Sequence, residues 1–358
     1  MIRLLLVDDS ALMRRHLQQL FEAAGDFVVE MARNGREAVE RARAFDPQVV
    51  LLDINMPEID GLTSLSLLMA EKPRAVVMFS SLTEKGAMAS LEALALGAVD
   101  VLAKPGGTIS LSLDGVSEAL LAKVRAAAGA NLGGARATRT PAPRMVEVAQ
   151  AERRANAVQP GLVIMGASTG GPRTLEEVLG GLPGNFPLPI VVAQHMPANF
   201  TRALAERLDK SMALKVVEVN RPLPLEPATA YIGMGGSDVL IGRRGGRAYV
   251  MPKPEDSRFL WHPSVAQLTQ SALQHFQANQ VIGVMLTGMG YDGAEEMAEL
   301  KRRGGRTLAE SQETAVVFGM PGELIRRGGA SHIQPSHAIA STLISWCTRR
   351  LPGSATCH

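Results

Sequence analysis

Three observations predict a two-domain α/β protein built on doubly wound, mostly parallel sheets. Short apolar runs recur along the 358 residues, each too brief for a buried helix and most followed by a helical pattern. Most of these runs end on an acid, a hydroxyl, a lysine, a histidine or a glycine turn, the residue types that gather at the carboxyl edge of a parallel sheet. One stretch, 130–160, breaks the rhythm with alanine, arginine, proline and glycine. The expected domains are therefore 1–129 and 161–350, joined by the 130–160 linker. A chain of this length can bury two cores.

Composition narrows the class. The chain is 46% hydrophobic, and Lys plus Arg total 37 against 35 for Asp plus Glu, a formal net charge of only +2. No nucleic-acid footprint follows from that balance. Cys347 and Cys357 have no metal-type spacing and imply neither a disulfide framework nor a thiol nucleophile. The opening apolar run stops at Asp8 and Asp9, which is not a signal peptide, and no run approaches the ~20 residues of a membrane span. A cytoplasmic protein without membrane insertion is expected.

In the first domain, residues 4–7 read as a strand delivering Asp8, Asp9 and Ser10, with a helical pattern through Phe21. Residues 28–32 lead to a helix over 35–45, 49–52 to Asp53, 75–79 to Ser80 and Ser81, and 99–103 to Lys104 and Pro105. Strands alternating with helices give a (βα)5 unit with right-handed crossovers. Asp8, Asp9, Asp53, Ser80 and Lys104 then share one sheet edge. Three carboxylates crowded there repel one another unless a hard cation joins them, and an oxygen-rich site of this kind suits Mg²⁺. With the metal bound, one carboxylate can attack a phosphoryl group while a hydroxyl and an ammonium take up charge. Any one of these acids alone would read as a solvated loop residue.

The stretches L-L-V-D-D-S at 5–10, L-L-D-I-N-M-P at 51–57 and A-K-P at 103–105 resemble the response-regulator receiver domain. The resemblance implies Asp53 as phosphoryl acceptor and Asp8 and Asp9 as Mg²⁺ acids, with Asn55 giving a backbone carbonyl to the metal. It also implies Ser80 as switch hydroxyl and Lys104 as the phosphoryl contact. Many receivers carry an aromatic two to three residues before the lysine; here Val101 stands there, so an aromatic-rotation switch does not carry over.

The linker holds a T-P-A-P cluster at 140–143 and an expected helix over 145–157. Its arginines, Arg136, Arg139, Arg144, Arg153 and Arg154, either touch an acidic partner or are simply solvated. The segment after it is too long and too strand-like for a helix-turn-helix output.

In the second domain, residues 162–165 form a short buried strand, and Ser168 sits in the glycine-rich turn between it and a helix beginning near Pro172. A hydroxyl there is either a nucleophile, with free N–H groups and the helix dipole ready for an oxyanion, or merely a helix cap. Residues 189–193 deliver Gln194 and His195, with an amphipathic stretch over 200–208, and 281–286 deliver the turn from Thr287 to Asp292. Ser168, His195 and Asp292 thus each follow a separate strand and can converge on one edge. His195 can accept the Ser168 proton and return it to a leaving group, and Asp292 can orient the imidazole. The oxyanion would meet N–H groups near Thr169 and in the Gly288–Gly290 turn. A rival reading takes 288–293 as a G-x-G-x-x-G nucleotide loop with Glu310 on a ribose, although such a loop usually sits in the first βαβ unit.

G-A-S-T-G-G-P at 166–172, Q-H-M-P at 194–197, F-T-R-A-L-A-E-R-L at 200–208, L-T-G-M-G-Y-D-G-A at 286–294 and G-M-P-G at 319–322 resemble the catalytic domain of the chemotaxis methylesterase family, CheB. With the receiver, the resemblance covers nearly the whole chain outside the linker. It implies Ser168 as nucleophile, His195 as base, Asp292 as third member, Thr169 beside the nucleophile and Met289 as an oxyanion N–H donor. The implied activity is hydrolysis of glutamate methyl esters and deamidation of glutamines on methyl-accepting chemoreceptors, with no cofactor for hydrolysis. A chemotaxis histidine kinase is the implied phosphodonor, and the resting receiver is expected to obstruct the hydrolase edge. Met234, Asp238 and Ala266 depart from the family pattern and are expected at the substrate-facing rim. Arg202 and Arg207 could assist receptor docking. The alternative is a phosphorylation-dependent scaffold without catalysis.

Overall fold

The computed structural model describes residues 1–81, 83–104, 117–133 and 161–348. Most of the expected linker, with its expected helix over 145–157 and its five arginines, lies outside the described residues, as do Pro105 and Cys357.

The first domain runs β1 (Ile2–Val7), α1 (Ala11–Ala23), β2 (Phe27–Ala32), α2 (Gly35–Phe45), β3 (Val49–Asp53), α3 (Gly61–Glu71), β4 (Ala75–Ser80), α4 (Glu84–Ala95), β5 (Asp100–Ala103) and α5 (Ser117–Ala128). All its strand pairings are parallel, in the order β2-β1-β3-β4-β5. The helices start where short polar side chains can satisfy an orphan N–H. Ser10, Asn34, Asp60 and Thr83 accept from Met13, Glu37, Thr63 and Gly86, each such cap contributing about 1 kcal/mol. Because successive strand residues point to opposite faces, each strand feeds two cores. Leu5, Val7, Val50, Leu52, Val76 and Met78 pack with residues of α2 to α4, while Leu4, Leu6, Val49, Leu51, Val77 and Phe79 pack with α1 and α5.

The second domain continues with β6 (Leu162–Ala167), α6 (Gly171–Gly180), β7 (Ile190–Gln194), α7 (Ala198–Ser211), β8 (Lys215–Val219), β9 (Leu223–Pro224), β10 (Thr229–Gly233), β11 (Asp238–Arg244), β12 (Arg247–Lys253), α8 (Val265–His275), β13 (Val281–Met285), α9 (Ala294–Arg302), β14 (Arg306–Glu310), α10 (Met320–Arg326), β15 (His332–Gln334) and α11 (Ser336–Thr348). Seven strands form a parallel sheet in the order β15-β14-β13-β6-β7-β10-β8. The chain leaves β6 in one direction through β7 and returns on its other side as β13, so β6 lies at the point where the winding reverses. That is where an open α/β sheet leaves a crevice. β6 again divides its side chains: Val163, Met165 and Ala167 face the core of α6, α7 and α11, and Leu162 and Ile164 face that of α8 to α10. A separate antiparallel sheet, β11-β12-β9, joins the second face. Its hairpin turns at Gly245 and Gly246, whose φ values of 57° and 80° belong to a two-residue turn that suits paired glycines.

The domains meet where β5 begins. Gly170 N–H donates to the Val99 carbonyl at 3.1 Å, and Asn131 N–H donates to the Val316 carbonyl at 2.8 Å. α4 packs on α7 and α6.

Candidate active site

Strand register brings the predicted hydrolase residues together. Ala167 of β6 pairs with Gln194 of β7, so Ser168 and His195 are the next residues on two adjacent strand ends. His195 N–H donates to the Ala167 carbonyl at 3.0 Å, and Gln194 Nε2 donates to the Ser168 carbonyl at 2.9 Å and the His195 carbonyl at 3.2 Å. On the other side of β6, Ser168 N–H donates to the Thr287 carbonyl at 3.0 Å. A Cβ on Gly288 would stand 2.7 Å from Ser168 Cβ, so only glycine allows this turn to press against the serine.

Asp292 lies seven residues beyond β13, and its carboxylate is fixed by the start of α8. Oδ2 accepts from His195 Nε2 at 2.9 Å and Val265 N–H at 2.7 Å; Oδ1 accepts from Ser264 Oγ and Ala266 N–H, both at 3.1 Å. All four contacts come from donors, three of them at the N-terminal end of α8, where the exposed N–H groups favour an acceptor. An ionised carboxylate only accepts, so His195 Nε2 carries the proton of the neutral ring and Nδ1 is left as the basic nitrogen. Nδ1 is buried and has no partner. Ser168, His195 and Asp292 are 2%, 6% and 5% exposed, which strengthens every charge interaction among them. The N–H groups of Thr169 and Met289 have no acceptor among the described residues, as an oxyanion site requires. The arrangement can carry out acyl transfer from an ester or amide to water.

The receiver cluster also assembles. Val7 pairs with Leu52, so Asp8 follows on beside Asp53, and a carboxylate oxygen from each of Asp8, Asp9 and Asp53 lies within 4.8 Å of the others. Lys104 Nζ is 2.8 Å from both Asp8 Oδ2 and Asp53 Oδ2. Burial pushes the Asp53 carboxyl up, against the pull of Lys104; burial also favours a neutral Lys104, but the two carboxylates outweigh it and hold the ammonium charged. Two buried carboxylates that share one ammonium, with the exposed Asp9 carboxylate beside them, fit a hard divalent cation. Asn55 N–H donates to Asp53 Oδ1 at 3.2 Å, and Ser80, fully buried, donates to the Gly86 carbonyl at 3.3 Å. Val101 is 2% exposed within β5 and offers no rotating aromatic.

Two readings are corrected, the nucleotide loop and the rim placement of Asp238 and Ala266. Glu310 is fully buried, with its carboxylate accepting from Thr287 N–H at 2.7 Å and Thr314 Oγ1 at 2.9 Å, so it cannot hold a ribose and the nucleotide reading falls. Desolvation raises its pKa to about 7. Asp238 and Ala266 are buried rather than at a rim. Asp238 accepts from His262 Nδ1 at 3.0 Å and Ser264 N–H at 2.9 Å, and from Gln267 Nε2, bracing the loop that holds Asp292. Arg202 pairs with Glu206 at 3.1 Å and Arg207 with Glu176 at 3.3 Å. Burial pushes the Cys347 thiol up to about 11, which makes it a poor nucleophile.

Three features escaped sequence reasoning. Trp261 lies parallel to the His195 ring, 5.8 Å away and tilted by only 5°. Ser264 caps α8 and also holds Asp292. Across the domain boundary, Thr169 Oγ1 donates to Asp100 Oδ2 at 2.6 Å, and Lys123 Nζ stands 3.0 Å from the same oxygen. The Asp-Val-Leu-Ala-Lys run at 100–104 held that last signal, but only the docked domains give Asp100 a partner beside the serine.

Among the described residues no helix is long and apolar enough to cross a membrane. The family described as CheB methylesterase matches residues 163–343, and the response regulator receiver domain matches residues 4–112. The protein-glutamate methylesterase/protein-glutamine glutaminase 3 of Rhodospirillum rubrum is 52% identical, covering 98% of this chain and 97% of that one. The corresponding protein 2 of Rhodopseudomonas palustris is 49% identical, covering 97% and 98%. The crystal structure of the Thermotoga maritima CheB methylesterase catalytic domain is similar at 38% identity and a TM-score of 0.50, covering 52% of this chain and 99% of that chain. With both halves matched in order and relatives aligned over nearly the full length, this chain belongs to the CheB methylesterase family, with a response-regulator receiver domain preceding the catalytic one.

Proposed function

We propose that the protein is a phosphorylation-activated protein-glutamate methylesterase that also deamidates receptor glutamines, dividing into a receiver at 1–129, a linker at 130–160 and a hydrolase at 161–350. The single observation that carries the reading is the buried His195 with Nε2 bound to an anchored Asp292 and Nδ1 buried without a partner beside the Ser168 turn. Ser168 Oγ attacks the side-chain ester carbonyl and its proton passes to His195 Nδ1. The Thr169 and Met289 N–H groups take the oxyanion. The tetrahedral intermediate expels methanol, which leaves with the proton from His195 Nδ1, and an acyl-serine remains. Water then adds with His195 as base, and the released products are the receptor glutamate and free Ser168. A glutamine follows the same steps with ammonia as the leaving group.

In the receiver, Asp53 accepts the phosphoryl group from a chemotaxis histidine kinase, and Ser80 and Lys104 contact it. Mg²⁺, held by Asp8, Asp9, Asp53 and the Asn55 carbonyl, supplies charge neutralisation when bound. In the resting arrangement Asp100 holds Thr169, so the receiver sits against the nucleophile turn and keeps substrate away. Lys104 directly follows β5, the strand that begins at Asp100, which gives the phosphoryl contact a route to that bond. Receptors reached from the cytoplasm are the substrates. Methanol release from methylated chemoreceptor membranes, present with wild type and lost in Ser168→Ala, tests the reading.

A further inference from the structure

Thr169 and Met289, the two oxyanion donors, sit on peptides whose carbonyls are held from behind. The Ser168–Thr169 and Gly288–Met289 bonds are trans, so in each the carbonyl and the next residue's N–H point in opposite directions. The Ser168 carbonyl accepts from Gly171 N–H at 2.8 Å and from Gln194 Nε2 at 2.9 Å. The Gly288 carbonyl accepts from Gly319 N–H at 3.0 Å and Met320 N–H at 2.8 Å, where α10 begins. Gln194 is the one side chain among these donors. It ends β7, is 1% exposed, and its Nε2 also reaches the His195 carbonyl at 3.2 Å. Two carbonyl oxygens around one end of the amide fix that end as the NH2 group. The other end, Oε1, is buried with no partner, a cost that an apolar side chain of similar size would avoid. A Cβ on Gly171 would collide with that oxygen, so glycine makes room for the amide at the start of α6.

Resting on the esterase reading above, we propose that Gln194 is a positioning residue that aims the Thr169 N–H at the oxyanion by clamping the Ser168 carbonyl. With only Gly171 N–H behind it, the Ser168–Thr169 peptide can rock about its flanking bonds, and the donor leaves the line of the developing charge. The clamp acts on the transition state more than on the bound ester, because charge on the oxygen grows as Ser168 Oγ adds. Gln194 also joins the Ser168 carbonyl to the His195 carbonyl, so the nucleophile turn and the base are held as one piece. The Gly288 side needs no such side chain, since two successive N–H groups at the start of α10 hold its carbonyl. Thr287 Oγ1 donates to the Thr169 carbonyl at 3.0 Å and links the two turns. Gln194 of Q-H-M-P and Gly319 and Met320 of G-M-P-G thus serve one end.

The test uses the full chain with a phosphodonor, methanol release from methylated receptor membranes, and butylboronic acid as inhibitor. The boronic acid bonds to Ser168 Oγ as a tetrahedral anion whose oxygen takes the oxyanion position, so its Ki reads that site. Gln194→Met and Gln194→Leu fill the space without a donor. Each is expected to lower kcat about ten- to a hundred-fold with KM little changed, less than the roughly 10²–10³ of losing an oxyanion donor outright. Each should also raise the boronate Ki by a similar factor. Neither Ki nor KM depends on the fraction of protein that is folded. A fall in kcat with Ki unchanged is therefore a loss of folded enzyme alone and overturns the proposal. So does an unchanged kcat, a rise in KM with kcat intact, or a wild type that releases methanol but does not bind the boronate. No methanol from wild type would instead overturn the esterase reading itself.

Discussion

Replacing Asp100 by Asn should release the catalytic half without phosphorylation. Thr169 Oγ1 donates to Asp100 Oδ2 at 2.6 Å in a buried contact, a hydrogen bond to an ionised acceptor. Such bonds contribute about 1.5–3 kcal/mol, against about 0.5–1.5 kcal/mol for neutral pairs. Asn keeps the shape and leaves the weaker kind, so the closed arrangement loses about 1–1.5 kcal/mol. The Lys123 pair, at 3.0 Å, lies within the receiver and is present whether or not the domains are docked, so its loss cancels from the opening equilibrium. While the open fraction is small, basal rate is proportional to it, and unphosphorylated methanol release should rise about five- to ten-fold. The donor-stimulated ceiling should stay where it is, so the stimulation ratio shrinks by the same factor. The assay compares both rates in wild type and Asp100→Asn. An unchanged basal rate would refute the latch. A parallel fall in both rates would show instead that Asp100 positions Thr169 for chemistry.

Two further outcomes follow from the catalytic half. Ser264→Ala removes one of the four hydrogen bonds to Asp292 and the cap of α8; kcat should drop about ten-fold with KM little changed, and Ser264→Thr should restore it. Glu310 titrates at about 7 when folded against 4.5 ordinarily, so its protonated form is the one the fold prefers. Stability from this group is full below the unfolded value and is lost as pH rises towards 7, by about 3 kcal/mol in all. Glu310→Gln should remove that slope, matching wild type near pH 5 and exceeding it at pH 8, as read from urea midpoints of the catalytic-domain transition. Equal slopes in the two proteins would contradict it.

The sequence made the parallel sheets legible because their strands are buried on both faces and read as unbroken apolar runs, as Val49 to Leu52 and Leu162 to Met165 do. Strand ends carrying Asp53, Ser168 and His195 could be placed from those runs alone. Asp292 was harder, since it sits well past β13 and is positioned by α8, an element remote in sequence. The β11–β12 hairpin was missed although Gly245-Gly246 marked it, because its strands are only partly buried and alternate weakly. Trp261 gave no signal: an aromatic in a proline-rich loop has no period, and only the folded chain lays it on His195. Asp238 looked like a rim residue because its partners, His262, Ser264 and Gln267, come from the other side of the hairpin. Glu310 read as a ligand residue because burial is invisible in a spacing rule.

The central claim is a serine esterase gated by a phosphorylated aspartate, and methanol release from methylated receptor membranes tests it most directly. Wild type, Ser168→Ala and Asp53→Ala are compared with and without a small-molecule phosphodonor and Mg²⁺. The account predicts release that rises with the donor in wild type, is absent in Ser168→Ala, and persists at its basal rate without stimulation in Asp53→Ala. Release that survives Ser168→Ala, or stimulation that survives Asp53→Ala, would contradict it.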